Sequence, residues 1–182
     1  MKNNLENSYK KKLNHITTFI FDIDGVLTDG RVHITNTGEL MRSMHTKDGF
    51  AIKTALKKGY RVAIISGARD KNVITRLSYL GIQDVFIEVE NKLPVFEAYI
   101  SKHHLSPLEV LYMGDDIPDI PLLQRVGLSA APRDAVPEVL HMVDYISHKK
   151  GGKTCVRDII EQVLRVQGNW SFNFIDNDTA AN

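Results

Sequence analysis

A lone cysteine, Cys155, stands in a chain of 182 residues, so no disulfide can form within it, and a reducing compartment suits it. Neither sign of charge dominates: the formal net charge of +1 gives no reason to expect nucleic acid or an anionic membrane as the main partner. The opening residues, MKNNLENSYKKKLNH, are polar and basic with no apolar stretch behind them. Neither a signal peptide nor a transmembrane span is therefore expected, and the expected location is the cytoplasm. What is present is ordinary for a soluble globular protein, 43% hydrophobic and 25% charged residues, at a length that suits one domain. We divide the chain into a polar N-terminal segment over residues 1–15, a single domain over 16–168, and a tail over 169–182 that loses helical periodicity and turns polar.

Short apolar runs alternate with helical patterns along the domain. The run FIF precedes the first pair of aspartates; RVAIIS, DVFIE, VLYM, LSAA and DYIS follow as further strands. Between them, Asp48 is a plausible N-cap for a helix carrying Ile52, Ala55 and Leu56, which Gly59 closes. Asp70 can cap a second helix carrying Val73, Ile74, Leu77 and Leu80 and stopped by Gly81, and Val95, Phe96, Tyr99 and Ile100 point inward from a third. Strands apolar on both faces, alternating with helices, predict an α/β fold: a doubly wound, Rossmann-like parallel sheet covered on both sides. Ligands in such folds sit at the carboxyl ends of the strands. One segment, at about 30–46, breaks the alternation. It reads as a hairpin around Asn36-Thr37-Gly38, too small for a lid domain and only marginally stable alone. Its apolar positions are expected to pack on another part of the protein or on another subunit.

The polar residues fall at the strand ends. Asp22 and Asp24 follow the first strand, Ser66 and Gly67 the second, Lys92 opens the helix after the third, and GDDIPD, with Asp115, Asp116 and Asp119, follows the fourth. Two carboxylates held one residue apart are costly unless a cation or a shared proton resolves their repulsion. Clustered carboxylate oxygens suit a hard divalent cation such as Mg²⁺, whose remaining positions go to water and phosphate oxygens. Ser66, the backbone at Gly67 and the Lys92 ammonium offer donors and charge to a phosphoryl group. The aspartates then have separable tasks, one as nucleophile and one as proton shuttle. The plainer alternatives are strand-end turn residues for Asp22 and Asp24, a helix N-terminus favouring acids for Asp115, Asp116 and Asp119, and a solvated lysine for Lys92. Cys155 reads as a packed helix residue, since no histidine partner suggests activation.

Taken in order and spacing, DIDGVLTDG, IISG, the isolated Lys92 and GDDIPD resemble the four motifs of the haloacid dehalogenase superfamily of phosphohydrolases. The short hairpin in place of a cap domain, the KDGFAI segment, and Gly151-Gly152-Lys153 leading to Arg157-Asp158 are similar to the 3-deoxy-D-manno-octulosonate 8-phosphate phosphatases. The resemblance implies that Asp22 attacks phosphorus and forms an aspartyl-phosphate, and that Asp24 serves as acid and then base. Asp22, the backbone carbonyl of Asp24, and Asp115 would hold Mg²⁺; Asp119, with Asp116, would support the site and orient Lys92; and Ser66, Gly67 and Lys92 would bind the phosphoryl group. It further implies a homotetramer in which four hairpins meet as a barrel and close the crevice, and a product that feeds lipopolysaccharide synthesis. Two departures concern the sugar. Many relatives carry GGRG where this chain has Gly151-Gly152-Lys153-Thr154, and a lysine lacks the bidentate fork of arginine. Arg69, after Ala68, is the other cation expected to meet a substrate carboxylate. A phosphatase for a nine-carbon ulosonic acid 9-phosphate, or a non-catalytic sugar-phosphate-binding protein, are the alternatives.

Overall fold

The structure is a computed structural model, and residues 9–172 are described. The first eight residues of the N-terminal segment and residues 173–182 of the expected tail lie outside the described residues. Ahead of the sheet come helix α1 (Tyr9–Lys12) and a 3-10 turn (Leu13–His15) whose Leu13 is buried. Eight strands follow: β1 (Thr18–Phe21), β2 (His33–Ile34), β3 (Leu40–Met41), β4 (Arg61–Ile65), β5 (Asp84–Phe86), β6 (Val110–Met113), β7 (Leu128–Ala131) and β8 (Tyr145–Ile146). The helices are α2 (Thr46–Lys57), α3 (Lys71–Tyr79), α4 (Lys92–Lys102), α5 (Ile120–Leu123), α6 (Pro137–Leu140) and α7 (Cys155–Val166).

Six strands form one parallel sheet in the order β5-β4-β1-β6-β7-β8, and β2 and β3 form a separate antiparallel pair. The first strand is thus central. Its Phe21 lies opposite Ile64 of β4 on one side and Met113 of β6 on the other. Alternation along each strand sends side chains to opposite faces, and here both faces are buried. Phe19, Phe21, Val62, Ile64, Leu111 and Met113 join one core with α2, α3 and α7; Ile20, Ala63, Ile65, Val110 and Tyr112 join the other with α4, α5 and α6. The chain leaves β1 in one direction to β4 and β5, then returns to β6 and runs outward through β7 and β8. The order therefore reverses between β1 and β6, which is where a crevice opens at the carboxyl ends.

Local signals were right in part. Asp70 caps α3 by accepting the Asn72 N–H at 2.9 Å, and Gly59 and Gly81 take positive φ (+87° and +92°) after their helices. One detail differs. Asp48 is not the cap of α2: the helix begins two residues earlier, with the His45 ring accepting the Lys47 N–H at 3.2 Å, and Asp48 is buried inside the first turn. Ile74 faces solvent at the edge of α3, because Val73, Leu77 and Leu80 already fill the inward stripe. The hairpin has only two paired residues per strand, and its Ile34 and Met41 are 74% and 55% exposed. No helix among the described residues is long and apolar enough to cross a membrane.

Candidate active site

Backbone geometry after β1 builds the site's first wall. Asp22 N–H donates to the Met113 carbonyl (3.1 Å), extending the ladder toward β6 by one residue, and Ile23 N–H donates to Asp22 Oδ1 (2.7 Å), which fixes that carboxyl group's rotamer. The chain then makes a wide turn closed by Thr28 N–H on the Ile23 carbonyl (2.9 Å), with Gly25 at φ +81°. A Cβ at Gly25 would stand 2.0 Å from Asp115 Oδ2, so this position needs glycine both for its backbone and for the close approach of the fourth motif. The far end of the chain buttresses the same turn. Gly152 N–H donates to the Val26 carbonyl (2.9 Å), and a Cβ at Gly151 would lie 1.9 Å from the Gly25 oxygen.

Charge is concentrated where β1, α4 and β6 end. The Lys92 ammonium, its side chain 5% exposed, lies 2.9 Å from Asp22 Oδ2 and 2.6 Å from Asp119 Oδ1. The Tyr112 hydroxyl, projecting from β6, donates to the same Asp119 oxygen. Asp119 Oδ2 accepts the N–H groups of Asp115 (2.9 Å) and Asp116 (3.1 Å). Asp119 is therefore spent on holding a loop and a lysine. Asp116 is exposed and caps the 3-10 turn at Ile117–Asp119, accepting the Ile117 N–H at 2.7 Å.

Ionisation follows from this crowding. Burial pushes the Asp22 carboxyl upward and Asp119 adds to the push, while Lys92 and the Ser66 hydroxyl oppose it. Burial alone would lower Lys92; the two carboxylates outweigh it and raise the ammonium instead. Asp115 is pushed up to about 8, by burial first and then by Asp119, Asp22 and Asp116. Such a group is short of positive charge. Asp22, Asp115 and Asp119 can each turn an oxygen to within 4.8 Å of the others, a grouping that fits a divalent cation. Asp119 already carries two partners on each oxygen, Lys92 and Tyr112 on one and two amides on the other, whereas Asp22 carries one on each; Asp115 and Asp22 therefore have more lone pairs left to offer.

The remaining expected residues divide into two groups. Ser66 is buried, donates its N–H to the Phe86 carbonyl (2.9 Å) and accepts the Ala68 N–H on its hydroxyl (3.3 Å), and that hydroxyl favours the ionised form of Asp22. A cavity of about 380 Å³ is lined by Asp22, Asp24, Ser66, Gly67, Lys92 and Asp115, with Asp116 and Asp119 also at its wall. Arg69 and Lys153 are not brought in. Arg69 has 71% of its side chain exposed, 3.9 Å from Glu90, and Lys153 is exposed beyond the Gly151-Gly152 turn. Two residues escaped the sequence reading. Tyr112 was legible as a polar tip alternating between Leu111 and Met113 in a buried strand. Arg42 was not: it holds Asp24 through a fork closed across 18 residues of chain, and no local pattern announces it.

A parallel sheet that presents paired carboxylates, a hydroxyl and a buried lysine at one switch point defines a haloacid dehalogenase-like hydrolase, and that family matches residues 88–152. The chain is 38% identical to the 3-deoxy-D-manno-octulosonate 8-phosphate phosphatase of Salmonella typhi over 157 residues, covering 86% of this chain and 84% of that one. It therefore belongs to the 3-deoxy-D-manno-octulosonate 8-phosphate phosphatase family of haloacid dehalogenase-like hydrolases. Solved structures agree. The Yersinia pestis phosphatase superposes with a TM-score of 0.86 at 32% identity, covering 88% of this chain and 86% of that one. The Moraxella catarrhalis phosphatase, solved with magnesium, phosphate and KDO, superposes with a TM-score of 0.86 at 28% identity, covering 88% and 92%.

Proposed function

We propose that this chain is a magnesium-dependent phosphoric monoester hydrolase that converts 3-deoxy-D-manno-octulosonate 8-phosphate to the free sugar acid and inorganic phosphate. The observation that carries this reading is the Asp22–Lys92–Asp119 chain of contacts beside Ser66 and Asp115, in one cavity at the carboxyl edge of the sheet. Asp22, Asp115 and the backbone carbonyl of Asp24 would hold Mg²⁺, which supplies positive charge against the transferring phosphoryl group.

This chain's own residues do the rest. Asp22, its rotamer fixed by the Ile23 N–H, attacks phosphorus; the bond from phosphorus to the sugar oxygen breaks and an aspartyl-phosphate forms. Asp24 gives the departing alkoxide a proton. In the second half Asp24 takes a proton from water, which attacks phosphorus, releases phosphate and restores Asp22. Lys92 and Ser66 face the oxygens on which charge spreads, and Asp119 and Tyr112 keep the ammonium aimed there before substrate arrives. Arg69, outside the cavity but next to its lining residue Ala68, would have to swing its exposed side chain inward to meet the sugar's carboxylate; Lys153 is assigned no contact.

The exposed Ile34 and Met41 support an assembly in which hairpins of four subunits join and cover the crevice. Sedimentation of Ile34→Lys tests this, with dissociation expected. The lone cysteine supports a cytoplasmic setting. The activity is tested by Mg²⁺-dependent phosphate release, as kcat/KM, over eight- and nine-carbon ulosonic acid phosphates beside hexose and pentose phosphates. A preference of about a hundredfold for the octulosonate, ~3 kcal/mol of transition-state stabilisation, is expected; uniformly poor rates overturn the sugar assignment. Removal of the divalent ion should stop turnover reversibly, and Asp22→Asn should abolish it while the fold survives.

A further inference from the structure

We propose that Arg42 is a positioning residue: it ties the hairpin to Asp24, so that the geometry of the acid/base group depends on where the hairpin stands. This rests on the phosphatase reading above. Arg42 follows β3 directly, yet only 5% of its side chain is exposed, on a ribbon whose His33, Ile34 and Met41 lie open to solvent and whose Leu40 is half-buried. Its Nε donates to Asp24 Oδ1 (2.7 Å) and its Nη2 to Asp24 Oδ2 (2.9 Å), a two-point fit that the planar fork of arginine supplies and a lysine cannot. Its Nη1 lies 3.3 Å from Asp70 Oδ2, while the other oxygen of Asp70 caps α3. Thr28 Oγ1 adds a third donor to Asp24 Oδ1 at 3.2 Å.

The consequence is mechanical. Asp24 sits on a turn with a third of its own side chain exposed, and its carboxylate plane is set by a residue that belongs to neither the sheet nor the turn. Asp24 Oδ1 already accepts two bonds, from Arg42 and Thr28, whereas Oδ2 accepts one, so Oδ2 is the oxygen with room for the proton that a departing sugar oxygen takes. The bond from Nη1 to Asp70 holds the guanidinium, and with it the direction in which Oδ2 points. The hairpin would then act on chemistry through one side chain as well as by covering the crevice.

A purely structural role for Arg42 would slow every substrate alike, and the leaving group separates the two roles. With the full chain and Mg²⁺ present, Arg42→Ala is expected to lower kcat/KM on the octulosonate phosphate about a hundredfold; this quantity reads the steps up to aspartyl-phosphate formation and leaves out the water step that every substrate shares, and the loss is the scale of a misplaced general acid. The loss on p-nitrophenyl phosphate, whose phenolate departs without a proton, should be at least about tenfold smaller, and added guanidinium should restore part of the sugar rate. Arg42→Lys, which keeps the charge and the packed stem, should show the same pattern more weakly and serves if the alanine variant does not fold. Equal losses on both substrates, or no loss on either, overturn the proposal. Hydrogen exchange reads the link without turnover. The hairpin amides of Thr35, bonded to the Glu39 carbonyl at 2.9 Å, and of Glu39, bonded to Thr35 Oγ1 at 3.0 Å, should exchange about tenfold faster in both Arg42→Lys and Asp24→Asn. Unchanged exchange in both variants refutes the tie. A wild type inactive on sugar phosphates would refute the phosphatase reading alone, because the exchange result decides the tie by itself.

Discussion

The stability of an Asp48→Asn variant relative to wild type should shift in the variant's favour as pH rises from 4 to 8. Asp48 is 1% exposed, its Oδ1 accepts the Arg157 N–H at 2.7 Å, and its Oδ2 finds no partner among the described residues. Burial lifts its pKa from 3.8 to about 6, with the backbone bonds from Arg157 and Thr154 only partly opposing the rise. A folded-state pKa above the unfolded one means that the unfolded chain loses this proton first. Wild-type stability is therefore undiminished by this group only well below pH 3.8, falls as pH rises between 3.8 and about 6, and carries the full cost above that. Two pK units correspond to ~3 kcal/mol. Asparagine keeps an acceptor for the Arg157 N–H and never ionises, so it escapes that cost. It does turn an amide toward the unpartnered corner, at about 1–3 kcal/mol, but that term does not change with pH and cancels in the comparison. Urea denaturation of both proteins at fixed Mg²⁺ between pH 4 and 8 should show the gap moving by ~3 kcal/mol in favour of asparagine, or roughly 6–12 °C in Tm for a chain of this size. Parallel stability curves would refute the reasoning.

Gly25→Ala places a Cβ 2.0 Å from Asp115 Oδ2 on a backbone at φ +81°; weaker Mg²⁺ binding by calorimetry and a lower Tm are expected, and an unchanged affinity would show that the turn yields freely. Thr154 holds φ +76° at the start of α7 without a side-chain cap bond, so Thr154→Gly should relieve strain and raise stability by ~1 kcal/mol in the same denaturation assay.

Much of this architecture could be read from the chain because its signals are local. The runs FIF, VAII and VLYM are short, apolar on both faces and separated by helices of the right length, which is sufficient for a parallel sheet, and a parallel sheet gathers every strand end at one edge. Asp22, Ser66, Lys92 and Asp115 then had to converge whatever the exact loop geometry. What escaped is what depends on contact across the chain. Asp48 looked like a helix cap in its own segment, but its partner is the Arg157 N–H, 109 residues away, where α7 begins behind Thr154 without a side-chain cap of its own. Arg42 is one polar residue among several in GELMRSMHTKD until the hairpin folds back onto Asp24. The same limit applies to Gly151-Gly152, legible as a pair but explained only by the backbone of Gly25 lying against it.

That last contact bears on how the protein is made. The strand carrying Asp22 leaves the ribosome early, but its neighbours β4 and β6 come from residues 61–65 and 110–113, and the turn after it is buttressed by residues 151 and 152. During synthesis the central strand therefore waits with both edges unpaired, the condition that invites pairing with other chains. The chain through residue 152 must emerge before the turn at Gly25 is clamped and the carboxylates are held in register. A chain interrupted before Gly151 would keep all four motifs of the site yet lack the brace that sets them, so the earliest moment at which a nascent molecule can work is fixed by the arrival of residues 151 and 152.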